Sequence, residues 1–299
     1  MNAKKLIALL LAAVLCLSFA ACGGNDEPET TTEAPVADST EAVDATEAPS
    51  EAESTEAASE AESTEAASEE ATEAASEEAT EEATEAAKKP ETTAEVVEYF
   101  NTAVNKVKTD AKSVKQKYVT NYLAKSPTVP SVLASIYKML GGDEWLDGML
   151  VDNSHGEATY TTKADIKHAF PVEDQTWSSK LTAADVKSAT CTEKDGVYTI
   201  TILTKADGKS STIDYGQGHN PKALTAVPPR VINDNIPSIA TGITGTAAMD
   251  YPYGKIVITV DAATGNVKTA DYDVQWTINF DKAGAIIPLG TRSSYVVTF

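Results

Sequence analysis

Cysteine is scarce in this chain. Of the three present, Cys16, Cys22 and Cys191, only Cys191 falls within residues 88–299, so no internal disulfide can staple that part. Its expected place is as a small apolar residue in a strand. Histidine is equally scarce. His155, His168 and His219 stand alone, none at ligand spacing from another His, Cys or acid on a recognisable element, so no metal or cofactor motif can be named. Long apolar runs are missing too. The longest, Leu6 to Phe19, has 14 residues, short of the roughly 20 that a spanning helix needs. Phosphate-loop and nucleophile motifs fail on inspection. Gly208-Lys209-Ser210 has Leu203 where the loop requires glycine. Ser135 and Lys138 give S-x-x-K, but inside an expected helix and with no K-T-G after it. No basic residues interleave with aromatics, which argues against nucleic acid as a partner.

The short apolar run follows Lys4 and Lys5 and ends at Phe19-Ala20-Ala21-Cys22-Gly23-Gly24. That is the layout of a secretory leader. With small residues at the two positions before a cysteine, it resembles the lipobox of bacterial lipoproteins, although Phe19 stands where that class usually carries Leu. The resemblance covers the first 24 residues. It implies cleavage before Cys22, a diacylglyceryl thioether on its sulfur, and a membrane partner reached through that lipid. Two acyl chains anchor stably where one does not. Ordinary cleavage after Ala20 is the alternative and would release the protein.

Positive charge is the next absence. Residues 23–87 contain 22 acids and no Lys or Arg. The net charge of −21 therefore belongs to this tract, and residues 88–299 are nearly neutral. The tract repeats: Ser50–Ala58 reads SEAESTEAA, Ser59–Ala67 reads it again, and shorter copies run to Ala83. The repeats hold no apolar side chain larger than Ala. With nothing to bury, the segment cannot offset the entropy of ordering. It reads as a disordered, charge-extended linker. A coil of this length averages about 45 Å end to end and reaches about 215 Å when fully extended.

Residues 88–299 carry the expected fold, which is α+β: N-terminal helices packed on one face of a twisted antiparallel sheet. Thr92 and Glu95 stand at capping-box spacing. Val96, Phe100, Ala103, Val107, Ala111, Val114 and Tyr118 recur at helical steps, predicting one helix over 92–122. Lys106, Lys108, Lys112, Lys115 and Lys117 fall on its other sides, a solvated back or a surface for an anionic polymer. A second helix is expected from Pro130, with Leu133, Ile136, Tyr137 and Leu140 as its stripe and Gly141-Gly142 as its stop. A helical turn is expected near Ala164 to Phe170, ended by Pro171. From Val186 the period becomes two. Lys194-Asp195-Gly196 signals a hairpin, residues 206–242 an excursion, and the last third a meander. In that meander Tyr272, Val274, Trp276, Ile278 and Phe280 line one face, and Asp271, Asp273, Gln275, Thr277 and Asn279 the other.

The organisation that follows is a signal peptide over 1–21, the lipidated Cys22 and acidic linker over 22–87, and a globular domain over 88–299. The functional expectation is a membrane-anchored, extracytoplasmic protein presenting a binding domain for an unidentified ligand. A carrier of an apolar molecule between sheet and helices is the alternative, and a hydrolase the third reading. No catalytic residue is named. Tyr251 and Tyr253, expected on a Tyr-Pro-Tyr-Gly turn between two strands, are the candidate ligand contacts. The acids Asp143, Glu144, Asp147 and Asp152 are expected in a solvated loop.

Overall fold

The structure, a computed structural model, describes residues 88–299 apart from 153 and 237. The leader, Cys22 and the acidic tract lie outside the described residues. Helix α1 (Thr93–Asp110) starts with the expected capping box. The Glu95 amide donates to Thr92 Oγ1 at 3.2 Å, and the Thr92 amide donates to Glu95 Oε2 at 2.8 Å. Val96, Val97, Phe100, Ala103, Val104 and Val107 form its buried stripe.

The helix ends at Asp110, well short of the expected 122. Ala111 turns extended (φ −57°, ψ 136°), and strand β1 (Ser113–Leu123) follows. Two signals explain the correction. Val114 and Gln116 are buried while Lys115 and Lys117 are exposed, a period of two that the helical steps of Val107, Ala111, Val114 and Tyr118 had masked. The segment is also rich in Val, Thr and Tyr, which suit a pleated surface.

Helices α2 (Ser131–Met139) and α3 (Gly142–Asp152) come next. Gly141, at φ +110°, separates them, so the glycine pair stops one helix and starts another. Asp143, Glu144, Asp147 and Asp152 thus stand on a helix rather than in a loop. Leu146 and Leu150 on the same helix are buried. Strand β2 (Ala158–Tyr160) leads to α4 (Lys163–Ala169), where Thr162 Oγ1 accepts from the Asp165 amide at 3.1 Å. A 3-10 turn (Ala183–Asp185) then opens the hairpin of β3 (Val186–Lys194) and β4 (Val197–Thr204). Its two turn residues, Asp195 and Gly196, both have positive φ, as the twist of a two-residue hairpin demands. The excursion holds β5 (Asp207–Ser210), α5 (Pro229–Asn233) and α6 (Ser238–Thr244). The long strands β6 (Ala247–Asp261), β7 (Val267–Phe280) and β8 (Ile286–Thr298) complete the fold. No described helix is long and apolar enough to cross a membrane.

All pairings are antiparallel. The order is β2-β1-β8-β7-β6-β4-β3, with β5 also on β6. The fold is α+β, but β1 and β2 are interleaved with the helices and join the sheet beside the last strand. α1 packs over β3, β4 and β7. Its buried stripe belongs to the same apolar core as Ile200, Ile258, Ala270 and Tyr272 of the sheet. The expected apolar face of β7 is buried along its length. Its opposite face is only partly wet, because Thr277 and Asn279 are buried and Asn279 Nδ2 donates to Asp250 Oδ2.

Candidate functional site

Beyond the reach of α1, the same sheet face floors a cavity of about 380 Å³. Gln116, Val119 and Asn121 of β1, Trp276 of β7, and Thr291, Ser293 and Tyr295 of β8 make the floor. A bulge makes this possible. The β1–β8 register shifts between Gln116 and Tyr118, so Gln116 opposes Tyr295 while Val119 opposes Ser293 and Asn121 opposes Thr291. Without the extra residue, Val119 and Asn121 would point to the other side of the sheet.

The lid comes from residues 155–160, the end of α4, Glu173 and the 225–227 segment. It is tied to the floor. Val119 and His155 exchange backbone hydrogen bonds at 2.8 and 2.7 Å. Gln116 Nε2 donates to the Gly156 carbonyl at 3.0 Å, and Tyr295 Oη donates to the Ala169 carbonyl at 3.3 Å. The lining joins aromatic faces (Trp276, Tyr295, Tyr160) to amides, hydroxyls and the carboxyl groups of Glu157 and Glu173. Trp276 is 2% exposed and presents its ring to the cavity.

Three titratable groups gather at the rim, where sequence reasoning saw only an isolated histidine. A donor atom from each of His168, Glu173 and Asp174 lies within 4.8 Å of the other two. His168 pairs with Asp174 through Nδ1, and that hydrogen bond holds the imidazole pKa above its ordinary value. Burial pushes Glu173 upward, against the pull of His168. The Glu173 amide donates to Thr225 Oγ1 at 3.1 Å, while its carboxylate bonds to no described residue. Lys108 fixes the segment from below. It is 2% exposed, and its Nζ donates to the carbonyls of Lys167, Val172 and Gln175 at 3.1, 2.5 and 3.0 Å. The sequence signal for this cluster was H-x4-E-D across the end of α4, spacing that no ligand motif uses.

Comparison with protein-family models, with curated proteins and with solved structures finds no match to this chain.

The other candidates are placed elsewhere. Tyr251 and Tyr253 are not on a turn but inside β6. Tyr251 is fully buried, with its hydroxyl donating to the Val227 carbonyl at 2.8 Å, so it packs instead of presenting a contact. Tyr253 is half-buried, and neither lines the cavity. His219 Nδ1 meets Asp185 Oδ1 at 2.9 Å, and Lys222 Nζ meets the same oxygen at 2.8 Å. Burial alone would raise the Asp185 pKa, but hydrogen bonds from Lys222, His219 and Thr182 outweigh it and hold the carboxyl well below its usual range. Neighbouring Asp207 accepts from the amides of His219 and Asn220 at 2.6 and 2.8 Å. This network closes the 216–222 loop.

The lysine row disperses as well. Besides buried Lys108, Lys106 Nζ bonds Asn266 Oδ1 at 2.8 Å, Lys112 Nζ bonds the Phe299 carbonyl at 3.1 Å, and Lys115 pairs with Glu157 at 3.0 Å.

Proposed function

We propose that this protein is a lipid-anchored, extracytoplasmic binding protein. Its domain takes a small polar, ring-bearing ligand of the sugar class in the cavity between β1, β7, β8 and the 155–173 lid. The anchor is Cys22, and the acidic linker supplies the reach. The observation that carries the reading is the lining. Apolar ring faces suit the C–H face of a pyranose, while Gln116, Thr291 and Ser293 suit its hydroxyls. The volume of about 380 Å³ lies within the range of small-molecule sites.

An acyl chain fits worse. It would set hydrocarbon against a lining in which Gln116, Asn121, Thr291 and Ser293 are polar, where a polar ligand gains contacts that an acyl chain does not. A hydrolytic reading stands second, because burial lets Glu173 keep its proton to higher pH than an ordinary glutamate in a cavity that Glu157 also lines.

A glycan array probed with the full chain tests the main reading. Saturable binding to a defined sugar class is expected, weakened at least about tenfold by Trp276→Phe and by Gln116→Ala, each of which removes one ring or amide contact. A folded protein that binds no glycan, or variants that bind as well as the parent, would overturn it. Release of reducing sugar from a bound glycan would move the assignment to the hydrolase.

A further inference from the structure

We propose that His168, Glu173 and Asp174 form a binding site for a divalent transition cation of the Zn²⁺ class at the mouth of the cavity. One imidazole nitrogen and two carboxylates, with no thiolate, make a borderline donor set that suits Zn²⁺, Co²⁺ or Mn²⁺. Ca²⁺ would require six or more oxygens. Around Zn²⁺, tetrahedral ligand atoms stand about 3.4 Å apart. The three donors already fall within 4.8 Å of one another, so small side-chain rotations close the shell. The cation takes the place of the hydrogen bond between His168 and Asp174.

Three further observations point the same way. The Glu173 carboxylate reaches the cavity without a hydrogen bond from any described residue. The backbone that presents the donors is fixed: Lys108 binds the carbonyls of Lys167, Val172 and Gln175, which bracket all three ligands, and the Asp174 amide donates to the His168 carbonyl at 3.2 Å. Such outer contacts are what hold ligands in place before a metal arrives. Finally, His168 and Glu173 both line the cavity. Three protein ligands leave a fourth position, which falls to a water or to an oxygen of whatever fills that space. The acids of α3 make a weaker case, because Asp147 and Asp143 already accept from the Leu123 amide and the Tyr137 hydroxyl at 3.2 and 2.9 Å.

The site stands apart from the sugar reading, and its test needs no sugar. The full chain is titrated with Co²⁺ alone and followed by visible absorption, then by displacement with Zn²⁺. One Co²⁺ per chain with ligand-field bands of mixed imidazole and carboxylate ligation is expected. His168→Gln, Glu173→Gln and Asp174→Asn each weaken binding at least about tenfold, while Asp165→Asn, on α4 but outside the triad, changes it less than about twofold. The acidic linker adds weak sites without imidazole that every variant shares. Melting curves without metal identify any variant that has lost its fold, and the remaining two then decide. Equal Co²⁺ affinity in the parent and in a folded His168→Gln chain overturns the proposal, as does a spectrum lacking imidazole ligation.

Discussion

Lys108 shows how far one residue can depart from its sequence-level role. Read as part of a solvated helix back, it is instead buried beneath the cavity rim with three carbonyl acceptors. Those acceptors match the three N–H bonds of an ammonium. Lys108→Met leaves them without a donor and should cost on the order of 3 kcal/mol, read as a lower urea midpoint. The pH dependence has a definite sign. Burial pulls the Lys108 pKa from 10.5 down to about 7. Between those values the unfolded chain binds more protons than the folded one, so stability rises with pH across that window. The gap between parent and variant should therefore widen from about pH 6.5 to about pH 9.5. A constant gap would mean that the carbonyls keep the ammonium charged throughout.

At the scale of elements, close approaches decide what a strand can carry. Gly254 of β6 leaves no room for a side chain: a Cβ there would lie 2.2 Å from Asn220 Oδ1 and 2.5 Å from both Leu224 Cδ1 and Thr204 Oγ1. Asn220 is fully buried and donates to the carbonyls of Lys205 and Tyr251 and to Asp207. Gly254→Ala should thus break the network that docks the 216–222 loop and cost about 3 kcal/mol in chemical denaturation. A change under about 1 kcal/mol would show that the loop yields freely.

Much at this scale could be read from sequence. The capping box of α1, the Asp195-Gly196 hairpin and the buried face of β7 follow from local chemistry and period. β1 did not, because its helical and strand periods overlap at Val114 and its pairing partner lies some 180 residues away. The cavity was hidden for the same reason. Its floor comes from β1, β7 and β8, and its rim from α4 and the segment after it. The bulge that aims Val119 and Asn121 inward has no local sequence mark.

For the whole molecule, charge and fold separate. Residues 23–87 hold 22 of the 45 acids and none of the 24 basic residues. Under the proposed organisation, a chain lacking residues 23–87 should keep its melting temperature within about 2 °C while its isoelectric point rises sharply. A large fall in melting temperature would show that the tract supports the domain. Cys22→Ser should move the protein from the detergent phase to the aqueous phase on partitioning, and unchanged partition would count against the lipid anchor.

The pairing of β1 with β8 also bears on how the domain comes into being. The strand at 113–123 waits for a neighbour at 286–298, so the ribosome has finished nearly all of the domain before the sheet can close. Contacts of such span make folding slow and leave a half-made chain with an open edge. If the chain is exported as we propose, a polypeptide threaded unfolded across a membrane gains from that delay, since it cannot lock into its final shape on the wrong side.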